Sequence, residues 1–150
     1  MIDYENVQLS DPSQLKQLGS AGTAYEYHGA DARLLERFPN PMGAFGPRYA
    51  SEVEITAPEF TSLCPLTGQP DFATIVVRYT PRSWCVESKS LKMYLGSFRQ
   101  TGEFHEACVQ RIATDLFNLM EPTKMTVEGQ FTPRGGIRFW PKVMLGEGAY

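Results

Sequence analysis

The sequence predicts an α+β fold with an antiparallel sheet, and three observations predict it. Strand-like runs come first, two helical stretches follow, and further strand-like runs close the chain. The helical stretches place apolar residues at i, i+3, i+4 and i+7, whereas the strand candidates alternate or run continuously apolar. At 150 residues, 42% hydrophobic and 21% charged, the chain is expected to form one globular domain with an ordinary core.

Residues 1 to about 50 read as a loop-rich segment ahead of a core over residues 51–140. Short helices are predicted over Asp11–Leu18 and Asp31–Phe38. Phe38-Pro39-Asn40-Pro41-Met42-Gly43 then breaks the chain, because proline fixes φ and lacks a backbone donor. Ser51–Ala57 alternates like a half-buried strand. Phe72–Tyr79 is β-branched and aromatic, and reads as a strand buried for most of its length. Pro81 ends it, and Trp84–Glu87 starts a returning strand.

Ser88 is the expected N-cap of a helix carrying Leu91, Tyr94, Leu95 and Phe98 on one face. After Gln100-Thr101-Gly102 comes the strongest helix, with Phe104, Cys108, Ile112, Leu116 and Leu119-Met120 as its stripe and Glu121-Pro122 closing it. Met125–Phe131 and Gly136–Trp140 read as two strands joined around Thr132-Pro133-Arg134-Gly135. A four-stranded sheet covered by two helices leaves open edges, and neighbouring subunits often close such edges.

Several function classes are disfavoured at once. A net charge of −3 and a pI near 5.4 give no electrostatic case for nucleic acid or an anionic membrane. No apolar run is long enough to span a bilayer, and Met1–Glu5 lacks the features of a signal peptide, so a cytoplasmic location is expected. Cys64, Cys85 and Cys108 form an odd set without a CxxC pair. They suit neither a disulfide framework nor a zinc site, and no metal is expected.

The segment Phe60–Phe72 sets Cys64 and Asp71 seven residues apart on a turn braced by Pro65, Gly68 and Pro70. A thiolate attacks carbonyl, nitrile or disulfide centres and needs a lowered pKa or a nearby base. Asp71 cannot lower that pKa, since a carboxylate disfavours a second negative charge. It suits proton donation instead, if burial keeps it protonated. His105 and Glu106 open the long helix, where Glu106 is either dipole decoration or a bidentate acceptor for a guanine-like edge. Lys89 and Lys92, one turn apart beside Ser88 and Ser90, suit a phosphate-bearing ligand or simply a solvated face. Arg134 either adds to that phosphate site or sits in a plain hairpin turn. Cys64 and Cys108 also have the ordinary reading of packed thiols.

These blocks together resemble the QueF family, the NADPH-dependent 7-cyano-7-deazaguanine reductases of queuosine biosynthesis. The matching segments are Phe60–Ala73, Glu87–Tyr94, Phe104-His105-Glu106 and Phe131–Gly136. The resemblance implies a tunnelling fold: an antiparallel sheet with two helices on one face, assembled from several subunits into a barrel with sites at the interfaces. It implies a single nitrile reductase domain over residues 1–150, with 51–140 as its catalytic core. It gives Cys64 the role of nucleophile, forming a thioimide, and Asp71 that of proton donor. Val86, Glu87, Ser88, His105 and Glu106 would hold the deazaguanine, and Lys89, Ser90, Lys92, Arg134 and Gly135 would face NADPH. Two rivals remain: a non-reducing thiol enzyme of the same fold that adds an amine to the nitrile, and a passive purine- or pterin-binding module.

Overall fold

The protein is seen here as a computed structural model that describes residues 28–45 and 50–149. The helix expected over Asp11–Leu18 lies outside those residues. In chain order the strands are β1 (Arg37–Pro39), β2 (Val53–Leu63), β3 (Pro70–Thr80), β4 (Trp84–Val86), β5 (Lys124–Phe131) and β6 (Lys142–Gly146). Helices α1 (Ser88–Gly96) and α2 (His105–Met120) fall between β4 and β5. The main sheet is antiparallel in the order β2-β3-β5-β6, and β1 pairs with β4 in a separate two-stranded ribbon.

Period-two alternation puts Asp71, Ala73, Ile75, Val77 and Tyr79 of β3 on one buried face. Phe131, Val127 and Met125 continue that face on β5. Cys108, Val109, Ile112, Ala113, Leu116 and Met120 of α2 cover it, together with Leu91, Tyr94 and Phe98 from the α1 region. Burying each large side chain of this kind contributes about 1.5–3 kcal/mol. Because Asp71 shares the face of the core residues, it emerges at the end of the sheet below the start of α2. That placement creates the site.

Gly129 lets α2 settle onto β5. A Cβ there would lie 2.5 Å from a Val109 methyl and 2.8 Å from the Phe131 ring. Gly129→Ala is therefore expected to lower unfolding stability by about 1–3 kcal/mol through overpacking. The urea midpoint of the variant measures this, and an unchanged midpoint would refute the close packing.

Several sequence expectations are corrected. The Asp31–Phe38 helix is a single 3₁₀ turn, Ala32–Leu34, capped by the Asp31 side chain and followed by β1. Trp84–Val86 returns beside β1, not along β3. Glu87, not Ser88, caps α1, its carboxylate accepting the N–H groups of Lys89 at 2.8 Å and Ser90 at 2.7 Å. Phe104 precedes α2 and is exposed, while Val109 and Ala113 complete the buried stripe. The Gly136–Trp140 strand is absent: Arg134 and Ile137 form an isolated bridge, and the fourth strand of the sheet is β6. Gly135 (φ +56°) and Gly136 (φ +79°) make a two-residue turn that favours glycine at both positions.

Candidate active site

Cys64 follows the last residue of β2 and enters a tight turn. Its N–H donates to the Gln69 carbonyl at 2.8 Å, and its own carbonyl accepts the Gly68 N–H at 3.0 Å. Gly68 sits at φ +67°, which closes the turn without the strain a side chain would bring. The turn aims donors at the sulfur. The Thr67 hydroxyl, then the amides of Leu66 and Thr67, then Arg134 hold the thiol down from 9.0 to about 7 against the opposing effect of burial. A thiol so placed is substantially thiolate at neutral pH. Thr67 carries the largest part of this, a role that no motif in the sequence marks. Its position three residues after the cysteine in a Pro-led turn was the available signal.

Asp71 is 5% exposed. Its carboxylate is ion-paired with the Arg134 guanidinium and stands 3.3 Å from His105 Nε2. His105 stacks flat on Phe131, with ring centroids 3.7 Å apart and an interplanar angle of 7°, and Phe139 meets it edge-on at 6.5 Å. Burial lowers the pKa of His105 and the adjacent Glu106 partly opposes this. A neutral imidazole beside a carboxylate is best satisfied with its proton on Nε2.

The start of α2 reaches the thiol through backbone stitching. Leu63 N–H donates to the Thr101 carbonyl at 2.9 Å, and Glu103 N–H donates to the Leu63 carbonyl at 3.1 Å. Gly102 passes so near that a Cβ would lie 3.3 Å from Pro65 Cα. Glu106 is exposed in the first turn of α2, next to His105.

The remaining candidates lie elsewhere in the chain. Val86 is buried in β4, Ser88 is exposed with its hydroxyl donating to Glu87, and Lys89 and Lys92 are exposed on α1. Ser90 is used inside the fold: its hydroxyl accepts the Glu36 N–H at 2.9 Å and donates to the Glu87 carbonyl at 2.8 Å. An apolar cavity of about 610 Å³ is lined by Val53, Ile55, Ser88, Leu91, Lys92 and Leu95 among others, but by none of Cys64, Asp71, His105 and Glu106. Within one chain, the thiol cluster and the lysine-bearing helix are thus separate. Cys108 is fully buried, and burial pushes its thiol up to about 12, so it is a poor nucleophile. Among the described residues, no three His, Cys, Asp or Glu side chains are grouped to hold a metal ion. No described helix is long and apolar enough to cross a membrane.

A family model described as QueF-like protein matches residues 70–148. The NADPH-dependent 7-cyano-7-deazaguanine reductase of Granulibacter bethesdensis is 50% identical over 129 residues, covering 84% of this chain and 80% of that protein. The reductase of the same name from Neisseria gonorrhoeae is 52% identical over 130 residues, covering 87% and 80%. Among solved structures, an archaeosine synthase QueF-Like in the apo form aligns with a TM-score of 0.61 at 19% identity, covering 66% of this chain and 97% of that one. This last likeness shows the shared fold.

Proposed function

The chain belongs to the QueF family, and from that premise we propose that it reduces the nitrile 7-cyano-7-deazaguanine to the primary amine with NADPH, in queuosine biosynthesis. The observation that carries this reading is a thiol held near pKa 7 beside a buried carboxylate that Arg134 and His105 both touch. Nitrile carbon is electrophilic, and a poised thiolate is the side chain suited to trap it.

Addition of the Cys64 sulfur to the nitrile carbon forms one C–S bond and leaves a nitrogen that must gain a proton. The proton that Cys64 released to solvent on becoming a thiolate balances that gain. Asp71, resting as a carboxylate against Arg134, takes up that proton and delivers it to nitrogen, giving the neutral thioimide. His105 orients Asp71 through its Nε2. Glu106, exposed beside it, accepts the adjacent N–H donors of the deazaguanine edge.

The cofactor residues fit in part. Lys89 and Lys92 offer exposed ammonium groups for phosphates, and the cavity beside Lys92 offers an apolar slot for a ring. Ser90 is left out because it is buried and bonded, and the Lys89 and Ser90 amides are already taken by the Glu87 carboxylate. Bound NADPH supplies the hydrides, two per nitrile carried to amine, with two protons completing the four-electron balance. The separation of the lysine helix from Cys64 supports a site completed by the corresponding helix of a neighbouring copy, in a homo-oligomer.

The test is to incubate the protein with 7-cyano-7-deazaguanine and follow NADPH absorbance. Two NADPH oxidised per nitrile is the expected result. A covalent Cys64 adduct with no NADPH loss would turn the reading to the non-reducing enzyme, and binding without either signal would leave a passive module.

A further inference from the structure

Cys64 and Glu106 stand on separate elements, and the backbone bridge between Leu63 and Gly102 joins those elements beside the thiol. Leu63 adjoins Cys64 and accepts the Glu103 N–H at 3.1 Å, and Glu106 follows three residues later. We propose that Glu103 is a positioning residue that sets the spacing between the nucleophile and the start of α2, acting through its ion pair with Arg111. Its meaning for the reaction rests on the reductase reading.

Glu103 is held from both sides. Its N–H ties it to the end of β2, while its carboxylate reaches forward to the Arg111 guanidinium in the second turn of α2. The Glu103 side chain is 13% exposed and that of Arg111 47%. The pair is thus shielded on its carboxylate side, where a charge-assisted bond counts for more than on open surface. Glu103 Oε2 is buried with no hydrogen-bond partner among the described residues, so compensation of this charge runs through Oε1 and Arg111. Taking the guanidinium away would leave a buried carboxylate uncompensated.

The start of α2 depends on this tie. Phe104, at the N-cap position, offers no side-chain cap to the helix, and its ring is exposed. His105 has anchors of its own in the Phe131 ring and Asp71. Glu106 is exposed, so its place is inherited from the backbone of the first turn. A ligand gripped by Glu106 while its nitrile carbon meets the Cys64 sulfur has a fixed length to span. A displacement of about 1 Å at such a site can slow reaction about a hundredfold. Glu103 therefore acts on the reaction without touching the substrate.

The test begins with binding of 7-cyano-7-deazaguanine in the Cys64→Ala background, where no covalent bond forms. Adding Glu103→Gln is expected to weaken binding about tenfold. With Cys64 intact, KM for the nitrile should rise about tenfold and KM for NADPH stay within about threefold. Hydrogen exchange of the Cys108 amide, which bonds the Phe104 carbonyl at 2.9 Å in the first turn, should quicken about tenfold. Arg111→Gln should copy these effects, and the double variant should add little to either, because one pair is lost each time. Arg111→Lys, which keeps a cation, should recover most of the affinity, and it carries the test if the glutamine variants fail to fold. Nitrile affinity and Cys108 exchange both unchanged, with only the urea midpoint lowered, would reduce the pair to a stabilising contact and overturn the proposal. If wild type binds the nitrile but oxidises no NADPH, the reductase reading fails, and weaker binding in Glu103→Gln still supports the tie.

Discussion

Cys64→Ala is expected to abolish nitrile-dependent NADPH oxidation, with a loss on the order of a thousandfold or more, because every later step passes through the bond its sulfur makes. The variant should still fold, since Cys64 lies at a half-exposed turn whose shape rests on main-chain bonds to Gln69 and Gly68. Intact mass should show a nitrile adduct on the wild-type protein and none on the variant. The wild-type thiol also gives a pH signature. Its folded pKa is depressed from 9.0 to about 7, so the reactive thiolate is present above pH 7 and is lost as pH falls through that value. Alkylation of Cys64 should follow a curve with its midpoint near 7. Thr67→Val should move that midpoint upward, because the hydroxyl is the largest of the groups holding the thiol down. An unreactive Cys64 at pH 8, or residual turnover in the alanine variant within tenfold of wild type, would remove it as nucleophile.

Asp71→Asn should cost about a hundred- to ten-thousandfold in turnover while leaving substrate affinity near its wild-type value. The amide fills the same volume but cannot deliver a proton to the nitrile nitrogen. It also removes a negative charge from the site while the Arg134 guanidinium, which helps to hold the Cys64 thiol down, stays in place. The alkylation midpoint of Cys64 should therefore fall in this variant even as turnover collapses. This combination separates loss of the proton carrier from general damage to the site, which would slow alkylation and turnover together. Full activity in Asp71→Asn would exclude Asp71 from the mechanism.

Much of the fold was legible wherever a single element carries its own periodicity. The buried run over β3 and the stripe along α2 follow from pattern, since each must hide one face from water. Local pattern does not suffice where long-range pairing decides. Ile137, Phe139 and Trp140 look like strand residues, yet they are exposed beyond a glycine turn, and the sheet takes Lys142–Gly146 as its fourth strand. β1 exists through its partner β4, whose residues lie far away in sequence. Ser88 has the usual chemistry of a cap, but the longer Glu87 side chain reaches two amides at once.

The sequence by itself singled out Cys64 and Asp71 as the candidate pair, because a thiol and a carboxylate on a proline- and glycine-braced turn are local features, and their surrounding motifs name the family. Only the tertiary structure decided what governs them. Thr67 turns its hydroxyl to the sulfur because Gly68 closes the turn, and His105 arrives because the chain from Thr101 to Glu103 is stitched beside Leu63. Arg134 arrives because β5 extends along β3 into a hairpin, which sets its guanidinium against Asp71. Identity of a side chain is written in one position, whereas charge balance at a buried site depends on groups that meet only when the sheet is formed.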